Sequence, residues 1–300
     1  MGPRAHFLVE HDLMGITIRQ HLASLVAVFL ALLIGVLIGA ALSQQPELER
    51  VIDGLREDWA AEKQRNDALE AQLEASRRSD QSLVPGLVRG RLSGRRILVA
   101  MTSNPEDPDL RDAIRTTLHE AGAVVPITVT FGDDYLDRCE KSGEQALKRA
   151  GLPAGARTDG SVEHVAAAAA TALAKALLSG DADKLRALRK LVKLDGAANG
   201  PFDAAVVAGG STNADARRED LVDTPLVRAL LAHGLIVVGC ESSHAEESYI
   251  PAYADCRIST VDHADTAAGQ VSLVWLLEGH EGHFGVKATA DRVSPEMEGL

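Results

Sequence analysis

The sequence predicts an α/β protein that is carried on a single N-terminal transmembrane helix, with a coiled-coil stalk between the two. Three observations support this: an uncharged apolar run at residues 22–42, heptad spacing over 48–76, and two strand–loop–helix–strand units that start near Ile97 and Ala204. Repeated units of this kind predict a doubly wound, mostly parallel sheet with a helical insertion. The expected organisation is an N-terminal tail (1–15), a transmembrane helix (16–43), a coiled-coil stalk (44–80), a hinge (81–94), an α/β domain (95–285) and a C-terminal tail (286–300).

The apolar run at 22–42 contains no charged residue, and its length matches the roughly 20 residues that cross a hydrocarbon core. A cleaved signal peptide is the alternative, but the run is longer than the roughly 7–15 apolar residues of such a peptide. We therefore expect a retained anchor. Arg19 precedes the run and Glu47 and Glu49 follow it, which predicts a cytoplasmic N-terminus and an extracytoplasmic α/β domain.

Small residues recur at every fourth position of this helix, at Ala23, Ala27, Ala31, Gly35 and Gly39. Such a stripe allows two helix backbones to approach closely and favours self-association. The alternative is that small residues are common in membrane helices and need no partner.

Apolar residues of the stalk alternate in steps of four and three, the spacing of a and d positions in a coiled coil. Asn66 falls at an a position, where it favours a parallel dimer, and Glu62 weakens the seam at d. A solvated helix or an antiparallel hairpin packed on its own domain is the alternative. Pro85 and Gly86 predict the hinge. We expect a homodimer or homo-oligomer formed through Ala31, Gly35 and Gly39 of the membrane helix and Leu48, Ile52, Leu55, Asn66 and Leu69 of the stalk.

The globular part begins with a buried strand at 97–101, which is followed by an amphipathic helix and another strand. Two Ala- and Leu-rich helices then lie between the two units and carry no strand signal, so they cover one face of the sheet or form a small insertion. Asp262 is expected to cap a helix that begins near Ala264. A flexible glycine-rich loop with exposed histidines follows. The remaining predicted elements are helices at 109–120, 162–178, 182–194 and 225–232, strands at 124–131, 204–208 and 235–238, and the loop at 279–285.

Composition excludes one class of partner. The net charge is −12, from 43 acidic and 31 basic residues, and no basic stripe is present that would neutralise phosphates. We therefore predict that the chain does not bind nucleic acid. The cysteines, Cys139, Cys240 and Cys256, are far apart and lack the spacing of a zinc site. Two alternatives remain for them. Cys240 and Cys256 form a disulfide if the domain faces an oxidising compartment, or all three cysteines are buried thiols.

Cys240, His244 and Cys256 are the candidate metal ligands, since thiolate and imidazole are ligands for copper and zinc. Cys240 and His244 converge if the loop after the predicted strand folds back, although no third ligand is fixed by the sequence. The glycine pair at 209–210 lacks a nucleotide-binding pattern. Hydrolytic groups are present without a nucleophile motif, so we predict that the chain is not an enzyme. Those groups are Ser242, His244, Asp262 and His263.

Two stretches resemble the mycobacterial copper transporter MctB family. Residues 18–32, with Gly35 and Gly39, resemble its N-terminus, and residues 259–262 with the loop at 279–285 resemble its C-terminal signature. The resemblance implies a cell-envelope protein of copper efflux or homeostasis, with copper as the associated metal. It supplies no ligand motif for the candidate cysteines and histidine.

A non-catalytic envelope scaffold that acts through its coiled coil and α/β domain is the alternative function. Members of the family are sometimes placed in the outer membrane, where channels are closed β-barrels. The sequence lacks the alternating strands of such a barrel. We therefore favour the cytoplasmic membrane.

Overall fold

A computed structural model describes residues 10–43, 46–102, 108–151, 161–211 and 218–296. The chain divides into two compact units, Met1–Gln72 and Leu73–Leu300. Helix α1 (Glu10–Ser43) contains an apolar span, Gln20–Ala41, whose mean hydropathy is 2.8 and whose side chains are all exposed. Since every backbone group inside a helix is paired, this span has the length and composition to cross a bilayer.

Helix α2 (Pro46–Val88) contains the predicted stalk. Ion pairs one turn apart support it on its polar faces, such as Arg56–Asp53 and Arg78–Glu74. From Ile52 to Ser76 its seam residues, in contrast, are exposed, among them Leu55 and Trp59. The described chain therefore leaves an apolar helix face uncovered, and the coiled coil stays a prediction.

The predicted hinge at 81–94 differs from the structure, because α2 continues through Pro85 as far as Val88. Val84, Val88 and Leu92 are almost fully buried in the core of the α/β domain. Their burial offsets the backbone hydrogen bond that Pro85 cannot donate. The i, i+4 spacing of the two valines was the signal for this helical ending.

The sheet has seven strands in the order β3-β2-β1-β4-β5-β6-β7, and all neighbours are parallel except β2 and β3. This confirms the predicted α/β class with a mostly parallel sheet. The strands are β1 (Ile97–Met101), β2 (Ile127–Thr130), β3 (Lys193–Gly196), β4 (Ala204–Gly209), β5 (Ile236–Glu241), β6 (Ser259–Val261) and β7 (His283–Phe284).

The helix predicted over 182–194 is too long. In the structure the helix ends at Leu188, and strand β3 follows it. The strand forms one edge of the sheet and pairs antiparallel with β2. Only Leu194 is buried in it, while Lys193 and Asp195 are exposed. One buried residue in four is too short a pattern to predict a strand.

Helices pack on both faces of the sheet, and alternate strand residues serve the two cores. Leu98 and Ala100 of β1 point into one core, and Val99 and Met101 point into the other. The helices that contribute to the first core are α4 (Tyr135–Arg149), α5 (Val162–Ser179), α6 (Ala182–Leu188), α7 (Thr224–Leu231) and α8 (Ile250–Asp255), and those of the second are the end of α2, α3 (Pro108–Glu120) and α9 (Ala267–Leu277).

Helix α5 is apolar enough by composition to pass as a second membrane span, with a mean hydropathy of 1.2, but half of it is buried inside the domain. It packs against α4 and α7. The predicted 162–178 helix therefore covers one face of the sheet, which was one of the two alternatives.

Residues 286–296 pack on the α/β domain, although the sequence predicts a separate tail at 286–300; residues 297–300 lie outside the described residues. Within the loop predicted at 279–285, β7 pairs in parallel with β6. The chain then turns back, so that the amide of Gly285 donates to the carbonyl of Arg292 over 2.9 Å. We call residues 285–293 the C-terminal strap.

Candidate functional site

Buried polar residues collect where the parallel strands of the sheet end. Ligands of open α/β sheets bind at this edge, outside the carboxyl ends of the strands. Each of β1, β4, β5 and β6 contributes at least one such residue. They are Thr102 after β1, Ser211 after β4, Glu241 and Ser242 at the end of β5, and Asp262 and His263 after β6.

Asp223 lies at the centre of this edge, at the end of a π-helical turn (Glu219–Asp223) that precedes α7. It is fully buried. Its Oδ1 accepts hydrogen bonds from Thr102 Oγ1 at 2.5 Å and from the hydroxyl of Tyr253. Its Oδ2 has no hydrogen-bond partner among the residues that the structure describes.

The environment of Asp223 favours its protonated form. Burial raises the pKa of Asp223 to about 7, although the hydrogen bonds from Thr102 and Tyr253 and the charge of Arg218 act in the opposite direction. Arg218 is itself nearly buried and donates to the carbonyl of Gly132. Asp223 is therefore a buried carboxyl that can bind or release a proton near neutral pH.

Gly209, in the glycine pair considered for nucleotide binding, has a packing role. A Cβ at Gly209 would lie 2.1 Å from the Tyr253 hydroxyl and 2.7 Å from the ring of Tyr249. A Cβ at Gly239 would lie 2.4 Å from the ring of Tyr253. The two glycines thus open the space in which Tyr253 reaches Asp223.

Glu241 is the acceptor of a second network. Its Oε1 accepts from Lys287 Nζ at 2.6 Å and from Ser248 Oγ at 2.7 Å, and its Oε2 accepts from the amide of Tyr249 at 2.9 Å. Lys287 Nζ also donates to the carbonyl of Ala245 at 2.9 Å. Burial raises the pKa of Glu241, and the bonds from Lys287 and Ser248 oppose that effect.

Asp262 fixes the strap next to this pair. Its two carboxylate oxygens accept the backbone amides of Val286 and Lys287, at 2.9 and 2.8 Å. This corrects the predicted role of Asp262 as a helix cap. Helix α9 instead begins at Ala267, where Thr266 Oγ1 accepts from the amide of Gly269 at 3.2 Å.

His263 is buried beside Asp262, with its Nδ1 3.3 Å from Asp262 Oδ1. Neither ring nitrogen makes a hydrogen bond of normal geometry to a residue in the described ranges. Burial lowers the pKa of His263, and the nearby Asp262 and Asp265 partly offset this shift. The imidazole is therefore held neutral in a largely closed site.

The predicted hydrolytic groups do not form a nucleophile–base pair in the structure. Ser242 Oγ accepts the amide of His244 at 3.2 Å, a local turn. The neighbouring Ser243 Oγ donates to Asp265 Oδ2 at 2.6 Å. His244 Nδ1 lies 3.6 Å from that carboxylate, and the imidazole is 71% exposed.

The structure does not bring the three candidate metal ligands together. Cys240 is buried in the core that contains α9, and Cys256 packs against the core on the opposite face of the sheet. His244 is exposed in the loop after β5. Burial and the adjacent Glu241 raise the pKa of the Cys240 thiol, which disfavours the thiolate that binds metals.

Cys139, Cys240 and Cys256 are all free in the structure. The disulfide between Cys240 and Cys256, one of the two alternatives from the sequence, is therefore not formed. Over the described ranges there is also no group of three or more His, Cys, Asp or Glu side chains that could hold a metal ion. The donor residues that the structure describes therefore do not fit a resident copper ion.

Sequence reasoning missed the residues that make up the two networks, Asp223, Glu241 and Lys287. Glu241 carried a usable signal, because it directly follows a run of buried strand residues. Asp223 and Lys287 carried none, since each is an ordinary charged residue in the sequence.

An apolar N-terminal span together with a seven-stranded, mostly parallel sheet defines a membrane-associated α/β protein. The profile of the family described as "Copper transport outer membrane protein, MctB" matches residues 15–295. The chain therefore belongs to the MctB family, and the resemblance of its two ends to that family is confirmed.

Named relatives show the same relationship over nearly the full length. "Copper transporter MctB" of Mycobacterium tuberculosis (strain ATCC 25618 / H37Rv) is 27% identical, over 90% of this chain and 96% of its own. The protein of the same name from Mycobacterium bovis has the same identity and coverage, and that of Mycobacterium leprae is 28% identical over the same shares. The match includes both the apolar helix and the α/β domain.

Proposed function

We propose that this chain serves copper efflux or copper homeostasis as a membrane-anchored protein of the cell envelope. The observation that carries the proposal is the family match over residues 15–295, which includes the anchor, the stalk and the α/β domain. The relatives that match over 90% of the chain are named copper transporters. Copper is the cargo of the system in this proposal.

The α/β domain has no resident copper ion in this proposal. Cys240 and Cys256 belong to opposite cores, and His244 is in an exposed loop. We also propose that the chain is not an enzyme: the predicted group Ser242 only accepts the amide of His244, and no nucleophile motif surrounds Ser243, which donates to Asp265 and lies 3.3 Å from His244 Nδ1. The contribution of the domain is therefore to bind other components of the export system.

A conduit requires more than one copy or a further component. A single helix cannot enclose a pore, because its backbone is satisfied internally and it has no lumen. We propose that copies associate through the small residues Ala31, Gly35 and Gly39 in α1 and through the exposed seam of α2. The exposed, uncharged span and the exposed apolar seam support this association.

We also propose the orientation that follows from the charges beside the span. Arg19 precedes it and Glu47 and Glu49 follow it, so the N-terminus lies in the cytoplasm and the α/β domain lies outside the cytoplasmic membrane. Reporter fusions after Ser43 and after Met297 test this. Alkaline phosphatase must be active at both positions, and activity of a cytoplasm-only reporter there would contradict the orientation.

Copper content of a deletion strain tests the function. We expect deletion to raise cellular copper and copper sensitivity, with zinc content as the matched control. The wild-type gene and a Cys240→Ser/Cys256→Ser variant should both restore the copper level. A Gly35→Leu/Gly39→Leu variant, which disrupts the small stripe, should not restore it. Unchanged copper in the deletion strain would refute the proposal.

An envelope scaffold is the second candidate, and the exposed apolar seam of α2 is the observation that favours it. A scaffold would organise an envelope assembly through the coiled coil. Deletion would then leave cellular copper unchanged and cause a defect in cell shape or division. The same strain thus distinguishes the two functions.

A further inference from the structure

A groove of about 520 Å³ lies between the last turns of α2 and the start of α9, at the carboxyl edge of the sheet. Its apolar wall is formed by Leu83 and Leu87 of α2 and by Ala267, Ala268 and Val271 of α9. All of these residues belong to the compact unit Leu73–Leu300.

Leu83 is the unusual member of this wall, because it is 59% exposed. Its neighbour Val84 is 1% exposed, and Val88, one turn later, is fully buried. The last two turns of α2 thus bury one face in their own domain. On the neighbouring face, Leu87 is partly buried against the same core, and Leu83 is left exposed beside the groove.

That neighbouring face has the spacing of the stalk seam. From Leu69 the steps of four and three run through Leu73 and Ser76, and they continue beyond the predicted end of the stalk. The next seam positions are Asp80, Leu83 and Leu87. Two of them are leucines that line the groove. A parallel partner helix in register along this seam would therefore reach the groove.

Charge at the groove is compatible with a second copy of the same helix. The domain side carries Asp109 and Asp265, and α2 carries both Arg77 and Asp80. Asp80 is a seam position, so two copies would place like charges there, as they would at Glu62 in the stalk. In a two-fold arrangement, each copy brings the cation of its own helix toward the carboxylates of the other. An interface of this kind uses the same patch twice.

We propose that the groove between α2 and α9 is the docking site for α2 of a second copy of this chain, with Leu83 of each copy packed against the groove of the other. The inference rests on the proposed homodimer and deepens it, because it extends the seam from the stalk into the α/β domain. The domains of the two copies are then held together at the carboxyl edge of the sheet.

Disulfide cross-linking of the full-length chain in membranes tests the proposal. In a Cys256→Ser background, Leu69→Cys reports the stalk seam and Leu83→Cys reports the groove. Ser82→Cys is the matched control, since it is exposed and adjacent to Leu83 but lies off the seam. We expect rapid cross-linked dimers from Leu69→Cys and Leu83→Cys, and several-fold slower cross-linking from Ser82→Cys.

Two results would overturn the inference in different ways. Cross-linking at Leu69→Cys, with Leu83→Cys no faster than Ser82→Cys, would leave the dimer intact and reject the groove. The absence of cross-linking at both seam positions would reject the proposed parallel dimer as well.

A substitution that fills the groove distinguishes two arrangements. In one the partner helix docks in the groove, and in the other the coiled-coil seam continues past the groove without contacting it. Ala268→Trp places an indole in the groove, and Ala268→Ser is its conservative control. We expect Ala268→Trp to slow cross-linking at Leu83→Cys several-fold and to leave Leu69→Cys unchanged, with circular dichroism confirming the fold. Unchanged cross-linking at Leu83→Cys in the folded Trp variant would show that the partner does not use the groove.

Discussion

The ammonium group of Lys287 lies 2.6 Å from Oε1 of Glu241, a carboxylate that is fully buried at the end of β5. The two residues are 46 positions apart. Together with the amides that Asp262 accepts, this ion pair fixes the C-terminal strap on the sheet.

Lys287→Met should destabilise the α/β domain by about 3 kcal/mol, since it leaves the buried carboxylate of Glu241 without its cation. The double variant Glu241→Gln/Lys287→Met removes both charges and should lose less. Urea unfolding of the full-length chain in detergent, followed by circular dichroism, measures both. A loss below about 0.5 kcal/mol in the single variant, the range of an exposed pair, would contradict the prediction.

Asp223→Asn should remove a pH dependence of stability. Because the pKa of Asp223 is raised to about 7 in the folded chain, the folded state binds its proton more tightly than the unfolded state does. Its contribution is complete below pH of about 4 and is lost as pH rises through 7. The stability of the wild type relative to Asp223→Asn should therefore fall between pH 5 and pH 8, as melting temperatures will show.

His263 makes the stability of the chain depend on pH in the opposite direction. Because its pKa is lowered in the folded chain, its contribution to stability is lost as pH falls below about 6.5. This dependence is common to the wild type and to Asp223→Asn. It therefore cancels in the difference between them. Parallel melting curves for the two chains across this pH range would refute the assignment to Asp223.

Gly285→Ala should destabilise the chain by about 2 kcal/mol, because its Cβ would lie 2.0 Å from the carboxylate of Asp262. Gly54→Ala is the matched control, as nothing lies within 4 Å of a Cβ at that helical position. It should stabilise α2 by about 0.5–1 kcal/mol. Equal unfolding midpoints for Gly285→Ala and the wild type would contradict the prediction, because they would show that the strap accommodates the added methyl group without loss of stability.

Maleimide should label Cys256 faster than Cys139 or Cys240 in the folded chain. Cys256 is partly exposed and the other two are buried. Burial also raises the pKa of Cys139 to about 11, which lowers its thiolate fraction further. Mass spectrometry of peptides after a short reaction at pH 7.5 gives the order, and denatured protein is the reference. Faster labelling of Cys240 would contradict the packing described for β5.

The sequence predicted most of the central strands because each is a short run of buried apolar residues. It missed β3, in which a single leucine lies between two charged residues, and it placed a hinge where Val84 and Val88 continue a helix into the core. The conformation of such segments is determined by tertiary packing, and local sequence patterns carry no information about that packing.

The buried networks were beyond sequence reasoning for a different reason. Thr102 and Asp223 are 121 positions apart and meet only because β1 and β4 are neighbours. The prediction that Cys240 and His244 converge rests on their proximity along the chain alone. Alternation along β5 already puts Cys240 on the same face as Val238, inside a core, and that signal was the better guide.

The two edge strands of the sheet affect the tendency of neighbouring copies in a membrane to aggregate. Exposed strand edges recruit strands from neighbouring chains and start aggregation. Here one edge is the four-residue β3, whose Lys193 and Asp195 form an exposed pair 3.0 Å apart, and the other is the two-residue β7. Neither offers a long apolar template, so the two short edges disfavour edge-to-edge pairing of sheets from neighbouring copies.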